Sequence, residues 1–151
     1  MKTNKMTKVL IALDFDPTAQ KIAEVGFTFA QTLGAEIILM HVIVDLATYS
    51  LTYLNMGPLQ LDSVDELKQA SQNFLDKVKR HLGDDTILTV LKEGDFAESI
   101  LDTANEFDID IIVMGSHSSK WLENIMMGSV TADVLKKTTI PLFIVPTKKH
   151  N

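Results

Sequence analysis

Short apolar runs alternate along the chain with longer segments in which apolar residues recur every three or four positions. Val9 to Leu13 (VLIAL) has the length and composition of a buried strand. The DPTAQ that follows offers Asp16 as an N-cap, with Pro17 at the first helical position. Ile22, Val25, Phe29 and Leu33 then recur at helical spacing until Gly34 supplies the stop. EIILMHVIV, from Glu36 to Val44, is a second apolar strand. A strand, an amphipathic helix and a strand within this length make a βαβ unit, whose strands must be parallel.

From Asp45 to Asp62 the pattern is irregular. Ser63 with Glu66 three residues on reads as a capping box. It opens a helix with Leu67, Ala70, Phe74, Val78 and Leu82 on its apolar face and Gly83 at its end. TILTVLKEG is a third strand, and DFAESILDTANEF a helix capped by Asp95 with Glu98 at the reciprocal position. IDIIVMG is a fourth strand, so uniformly apolar that an interior place in the sheet is expected. A loop, a helix from about Ser129 to Lys137 and the strand IPLFIVP complete the order. Strands alternating with helices throughout predict an α/β fold: a single open five-stranded parallel sheet with helices on both faces, Rossmann-like in class. With no repeat, linker or low-complexity tract, residues 1–151 are read as one domain with short tails at 1–6 and 147–151.

Composition narrows the function classes. The 151 residues suffice for one buried core, and 46% hydrophobic with 23% charged residues is a globular balance. A net charge of −6, with the lysines scattered, argues against a nucleic-acid face. The absence of cysteine excludes disulfides, thiolate metal sites and cysteine nucleophiles. The apolar run near the N-terminus is short and ends in aspartates, unlike a signal peptide or membrane span, so a cytoplasmic location without membrane contact is expected. His41, His81, His117 and His150 have no metal-ligand spacing, and no Gly-x-Ser-x-Gly elbow supports a hydrolase triad.

Open α/β sheets bind ligands outside the carboxyl ends of their strands, where the strand order reverses. Two of those ends carry residues suited to a nucleotide: DFDPT after the first strand and GSHSSKWLENIMMGS after the fourth. Gly115 lacks a Cβ where a ligand could approach the backbone. Ser116 and Ser118 offer hydroxyl and amide donors, and His117 and Lys120 could add positive charge. Gly128 and Ser129 open the next helix, whose free amides and dipole favour an anion. The same pattern also suits an ordinary strand-to-helix loop with a glycine turn and a serine cap. Neither the Walker pattern nor the strict Rossmann fingerprint is present.

DIDIIVMGS, the nine residues between Ser118 and Gly128, and GSVTADVLKKTTIPLFIVP together resemble the universal stress protein family. KVLIALDF and ILMHVI extend the resemblance over nearly the whole chain. It implies a sheet of the adenine nucleotide alpha hydrolase-like kind, with the first and fourth strands flanking a nucleotide crevice. It further implies ATP as the ligand, with AMP or ADP as alternatives and Mg²⁺ as a companion ion. Gly115 and Gly128-Ser129 match the motif of the ATP-binding branch, and Ser118 stands where its second glycine belongs. Asp14 matches the acidic residue that meets the ribose, and Val42 the position whose backbone reads the adenine edge. Met114, His117 and Val130 match neighbours that line the ribose and phosphates. A left-handed backbone at Ser118 would cost about 1–2 kcal/mol. A hydroxyl facing phosphate would recover about 0.5–1.5 kcal/mol, so the departure weakens the motif without cancelling it.

The resemblance also implies a homodimer paired through the last strand, Leu142–Val145, acting on a regulatory protein partner that the sequence does not identify. Nothing stands as an obvious general base, so any hydrolysis is expected to be slow. Two alternatives remain at this point. One is a dimeric interaction module with an empty crevice. The other is a Mg²⁺-dependent aspartyl-phosphate phosphatase using Asp14, Asp16 and Thr18, a reading that lacks the later acidic pair such enzymes need. The segment from Ala47 to Leu61, with Tyr49, Tyr53 and Met56, is read as a lid over the adenine, a cover for the sheet edge or a dimer contact.

Overall fold

The computed structural model describes residues 6–43, 61–116 and 129–147. Their elements follow the expected order: β1 (Lys8–Ala12), α1 (Ala19–Leu33), β2 (Glu36–Ile43), α2 (Leu61–Leu82), β3 (Leu88–Glu93), α3 (Phe96–Glu106), β4 (Ile111–Gly115), α4 (Ser129–Lys137) and β5 (Leu142–Val145). The five strands are all parallel and lie in the order β3-β2-β1-β4-β5. β4 is thus an interior strand, and β5 is an edge.

The two-residue period of the strands divides the core between two faces. Val9, Ile11 and Leu13 join Ile37, Leu39 and Val113 on one face, where Ile22 and Ala23 of α1 and Leu75 of α2 cover them. Leu10, Met40, Val42, Ile112 and Met114 form the other face, under Ile100 and Ala104 of α3 and Val134 of α4. Leu10, Ile11, Leu39 and Ile112 are fully buried, each contributing about 1.5–3 kcal/mol of hydrophobic stabilisation.

Several ends were read correctly and two were not. Gly34 closes α1 in the left-handed conformation, φ 65°, with its amide on the Ala30 and Gln31 carbonyls. The Asp95 carboxylate caps α3 by accepting from the Glu98 amide. Asp16, however, is not the cap of α1. Its Oδ1 accepts from the Thr18 amide at 2.7 Å and from the Thr18 hydroxyl, closing a local turn, and the helix begins only at Ala19. An aspartate that can bond its own chain two residues on competes with its use as a cap. Ser63 is likewise no N-terminal cap, because the chain is already helical at Leu61.

Candidate functional site

β1 leads to β2 on one side, while β4 returns to its other side, so the reversal of strand order falls between β1 and β4. At the carboxyl end of that pair a crevice is lined by Asp14, Thr18, Val42, Met114, Gly115 and Val130, among others. Asp14, Val42, Met114, Gly115 and Val130, far apart in sequence, are thereby brought to one place. Its cavity volume is about 30 Å³, room for a few water molecules at most. Ser129 is the first residue of α4. His117, Ser118 and Gly128 lie outside the described residues, as does the segment through Tyr49, Tyr53 and Met56.

Asp14 dominates the electrostatics. Its carboxyl pKa is raised from 3.8 to about 6, first by burial and second by the neighbouring Asp16 carboxylate. Among the described residues no hydrogen bond reaches that carboxylate; only its backbone carbonyl is used, accepting from the Asp16 amide at 2.9 Å. A half-buried acceptor without donors suits a ligand that brings hydroxyls.

The fold has its own need for glycine at position 115, which also lines the crevice. A Cβ there would lie 2.6 Å from Ile22 Cδ1 and 3.1 Å from Thr147 Cγ2, so the glycine admits α1 and the segment following β5. Its carbonyl accepts from the Thr131 hydroxyl at 2.9 Å, which fastens the first turn of α4 to the end of β4. The first turn of α4, whose leading amides have no partner within the helix itself, thus stands beside the crevice, a setting favourable to an anion. Thr131 is 1% exposed and was not singled out from the sequence, although a threonine two residues inside a helix start is a candidate for such a bond.

His41 is the other residue the sequence reading passed over. It is buried on β2, and its Nδ1 donates to the Leu13 carbonyl at 2.8 Å. A histidine within the apolar run ILMHVI is a signal in itself, because a buried ring nitrogen must find a partner.

Among the described residues no group of three His, Asp or Glu side chains could hold a metal. Mg²⁺ would therefore have to be carried mainly by phosphates and water. The phosphatase alternative meets the same obstacle: Asp16 is occupied by Thr18, and the described end of β4 supplies no carboxylate. No described helix is long and apolar enough to cross a membrane.

Comparisons with known proteins agree with this geometry. The model of the universal stress protein family matches residues 5–146. Universal stress protein MJ0577 of Methanocaldococcus jannaschii is 30% identical over 154 aligned residues, covering 93% of this chain and 95% of the relative. The solved structure of MJ0577 superposes with a TM-score of 0.78 at 28% identity, covering 97% and 100% of the two chains. A universal stress protein in complex with cAMP matches with a TM-score of 0.68 at 16% identity, covering 96% and 100%. One from Archaeoglobus fulgidus in complex with dAMP matches at 0.63 and 19%, covering 93% and 98%. At those identities the last two likenesses speak for the fold.

Proposed function

The chain belongs to the universal stress protein family, and from that premise we propose that it binds an adenine nucleotide, ATP in the first place, between β1 and β4. The observation that carries this reading is Asp14: a half-buried carboxylate with no donor among the described residues, set at the reversal of strand order. In this reading its oxygens accept from the ribose hydroxyls. The Val42 backbone meets the adenine edge, and Met114 and Val130 flank the sugar. The amides opening α4 face the phosphates, with Ser129 and, from the adjoining segment, His117, Ser118 and Gly128 beside them. Mg²⁺ accompanies the phosphates. The complexes with cAMP and dAMP show that relatives of this fold take adenine nucleotides. In this reading the nucleotide serves as a signal whose occupancy orders the surface offered to a regulatory protein.

The proposed assembly is a homodimer through Leu142–Val145. β5 is an edge strand made entirely of Leu, Phe, Ile and Val, and an apolar edge invites pairing. A monomer mass in solution at micromolar concentration would remove this part of the proposal.

The cavity of about 30 Å³ favours a second reading, an interaction module whose crevice stays closed. Calorimetric titration of nucleotide-free protein with ATP and Mg²⁺, repeated on Ser118→Gly, separates the two. Micromolar binding by the parent supports the nucleotide reading. Binding by Ser118→Gly alone means that the serine has disabled an intact frame. Silence from both leaves the interaction module.

A further inference from the structure

β1 and β2 run as a regular parallel pair from Lys8↔Glu36 to Ala12↔Met40. One more backbone rung follows, from the Leu13 amide to the Met40 carbonyl at 2.9 Å. In a parallel ladder the next rung runs from the Val42 amide to the Leu13 carbonyl. That rung is not made among the described residues; the donor at the Leu13 carbonyl is His41 Nδ1, at 2.8 Å. A carbonyl only accepts, so the Nδ1 of His41 carries the proton.

The imidazole also anchors an aromatic group on the same face of the sheet. Its ring lies 5.7 Å from Phe74 of α2, edge to face, and 6.4 Å from Phe15. Phe15 and Phe74 are 4.8 Å apart, also edge to face. Such pairs prefer this geometry and resist displacement. Phe15 is 63% exposed, so its placement owes more to these two rings than to burial. The residues on either side of Asp14 are therefore both held on the α1–α2 side: Leu13 by hydrogen bond, Phe15 by ring contact. By strand alternation Asp14 between them faces the crevice.

We infer that His41 is a positioning residue for the nucleotide crevice: by taking the Leu13 carbonyl it ends the β1–β2 ladder one rung early, fixes Asp14, and leaves the Val42 amide to a ligand. This rests on the nucleotide reading above and gives it a reason in the fold. The histidine touches no ligand itself. It acts by occupying the acceptor that would otherwise close the strand end.

His41→Phe keeps a flat ring against Phe15 and Phe74 but removes the donor. His41→Asn keeps a donor, with its amide nitrogen at nearly the Nδ1 position. ATP affinity by calorimetry is expected to fall about ten-fold in His41→Phe and to stay within about three-fold in His41→Asn. In nucleotide-free protein, exchange of the Val42 amide hydrogen is expected to slow about ten-fold in His41→Phe, as the missing rung closes, and to stay near the parent rate in His41→Asn. A purely structural role would speed that exchange. A folded His41→Phe with unchanged affinity and exchange overturns the inference, as does equal damage from both variants. Should His41→Phe not fold, the parent decides: scalar coupling between His41 Nδ1 and the Leu13 carbonyl carbon supports the inference, and its absence overturns it. A parent that binds no ATP removes the nucleotide reading alone, because the Val42 exchange rates still report on His41.

Discussion

Two aspartates stand at opposite ends of the same sheet and live by opposite rules. Asp110, before β4, has one carboxylate oxygen that accepts from the Thr7 amide at 2.8 Å, the Lys8 amide at 2.9 Å and the Thr7 hydroxyl at 3.2 Å. Its pKa is held below the ordinary carboxylate value, first by the Thr7 amide and further by the other donors. Asp14, after β1, has no donor among the described residues and is pushed up to about 6 by burial and by Asp16. Asp110 is spent on joining the start of β1 to the start of β4. Asp14 is kept from any such use, and a carboxylate kept unsatisfied in a crevice is a place for something from outside.

The comparison predicts its own failures. The largest expected effect is on ligand affinity: Asp14→Ala should weaken ATP binding roughly 30-fold, about 2 kcal/mol, while Asp110→Ala leaves it unchanged. Calorimetry on both variants checks this, and equal losses would break the distinction.

Next come the effects on stability, which should have opposite signs. A raised pKa means that Asp14 contributes stability below about pH 4, lost as pH rises through about 6. Asp14→Asn should therefore stabilise the nucleotide-free protein at pH 8, by roughly 1–2 kcal/mol after allowing for partial exposure. A lowered pKa means that Asp110 contributes stability above the ordinary carboxylate value, lost as pH falls through its own lower one. Asp110→Asn should accordingly destabilise at pH 8. Denaturant midpoints for the two variants at that pH decide the matter, and a shared sign would refute it.

The pH dependence of binding should change when Asp14 is replaced. Protonation below about pH 6 replaces the charged acceptor with a weaker neutral one, so ATP affinity should fall up to about ten-fold between pH 7 and pH 5. In Asp14→Asn that slope should become shallower.

The smallest expected effect sharpens the comparison. The Thr103 hydroxyl on α3 is fully buried with no hydrogen-bond partner among the described residues, yet Thr103 does not line the crevice. Thr103→Val should raise stability by about 0.5–1.5 kcal/mol in thermal melts and leave ATP affinity untouched. An effect on affinity would mean that an unmet polar demand, rather than its place at the strand ends, marks the site.

The sequence was legible where the determinants are local. Apolar runs located all five strands, and the order of elements led to the reversal between β1 and β4 beside Asp14. Gly34 and Asp95 ended and capped their helices as read. It was illegible where a residue answers to a distant partner. The need for glycine at position 115 comes from Ile22, on another element altogether. The use of His41 is a carbonyl 28 residues away, which no spacing rule reaches. Asp16 shows a third kind of failure, in which two local uses of one side chain compete and the turn wins over the cap.

The most direct measurement follows the carboxyl carbons of Asp14 and Asp110 by NMR across pH 2 to 8, without and with saturating ATP and Mg²⁺. The account predicts that Asp14 titrates near 6 in the free protein and falls by about one unit or more when ribose hydroxyls reach it. Asp110 should titrate below the ordinary carboxylate value and not move. An Asp14 that titrates near 4, or that ignores ATP, would contradict the claim that this carboxylate is held for a nucleotide.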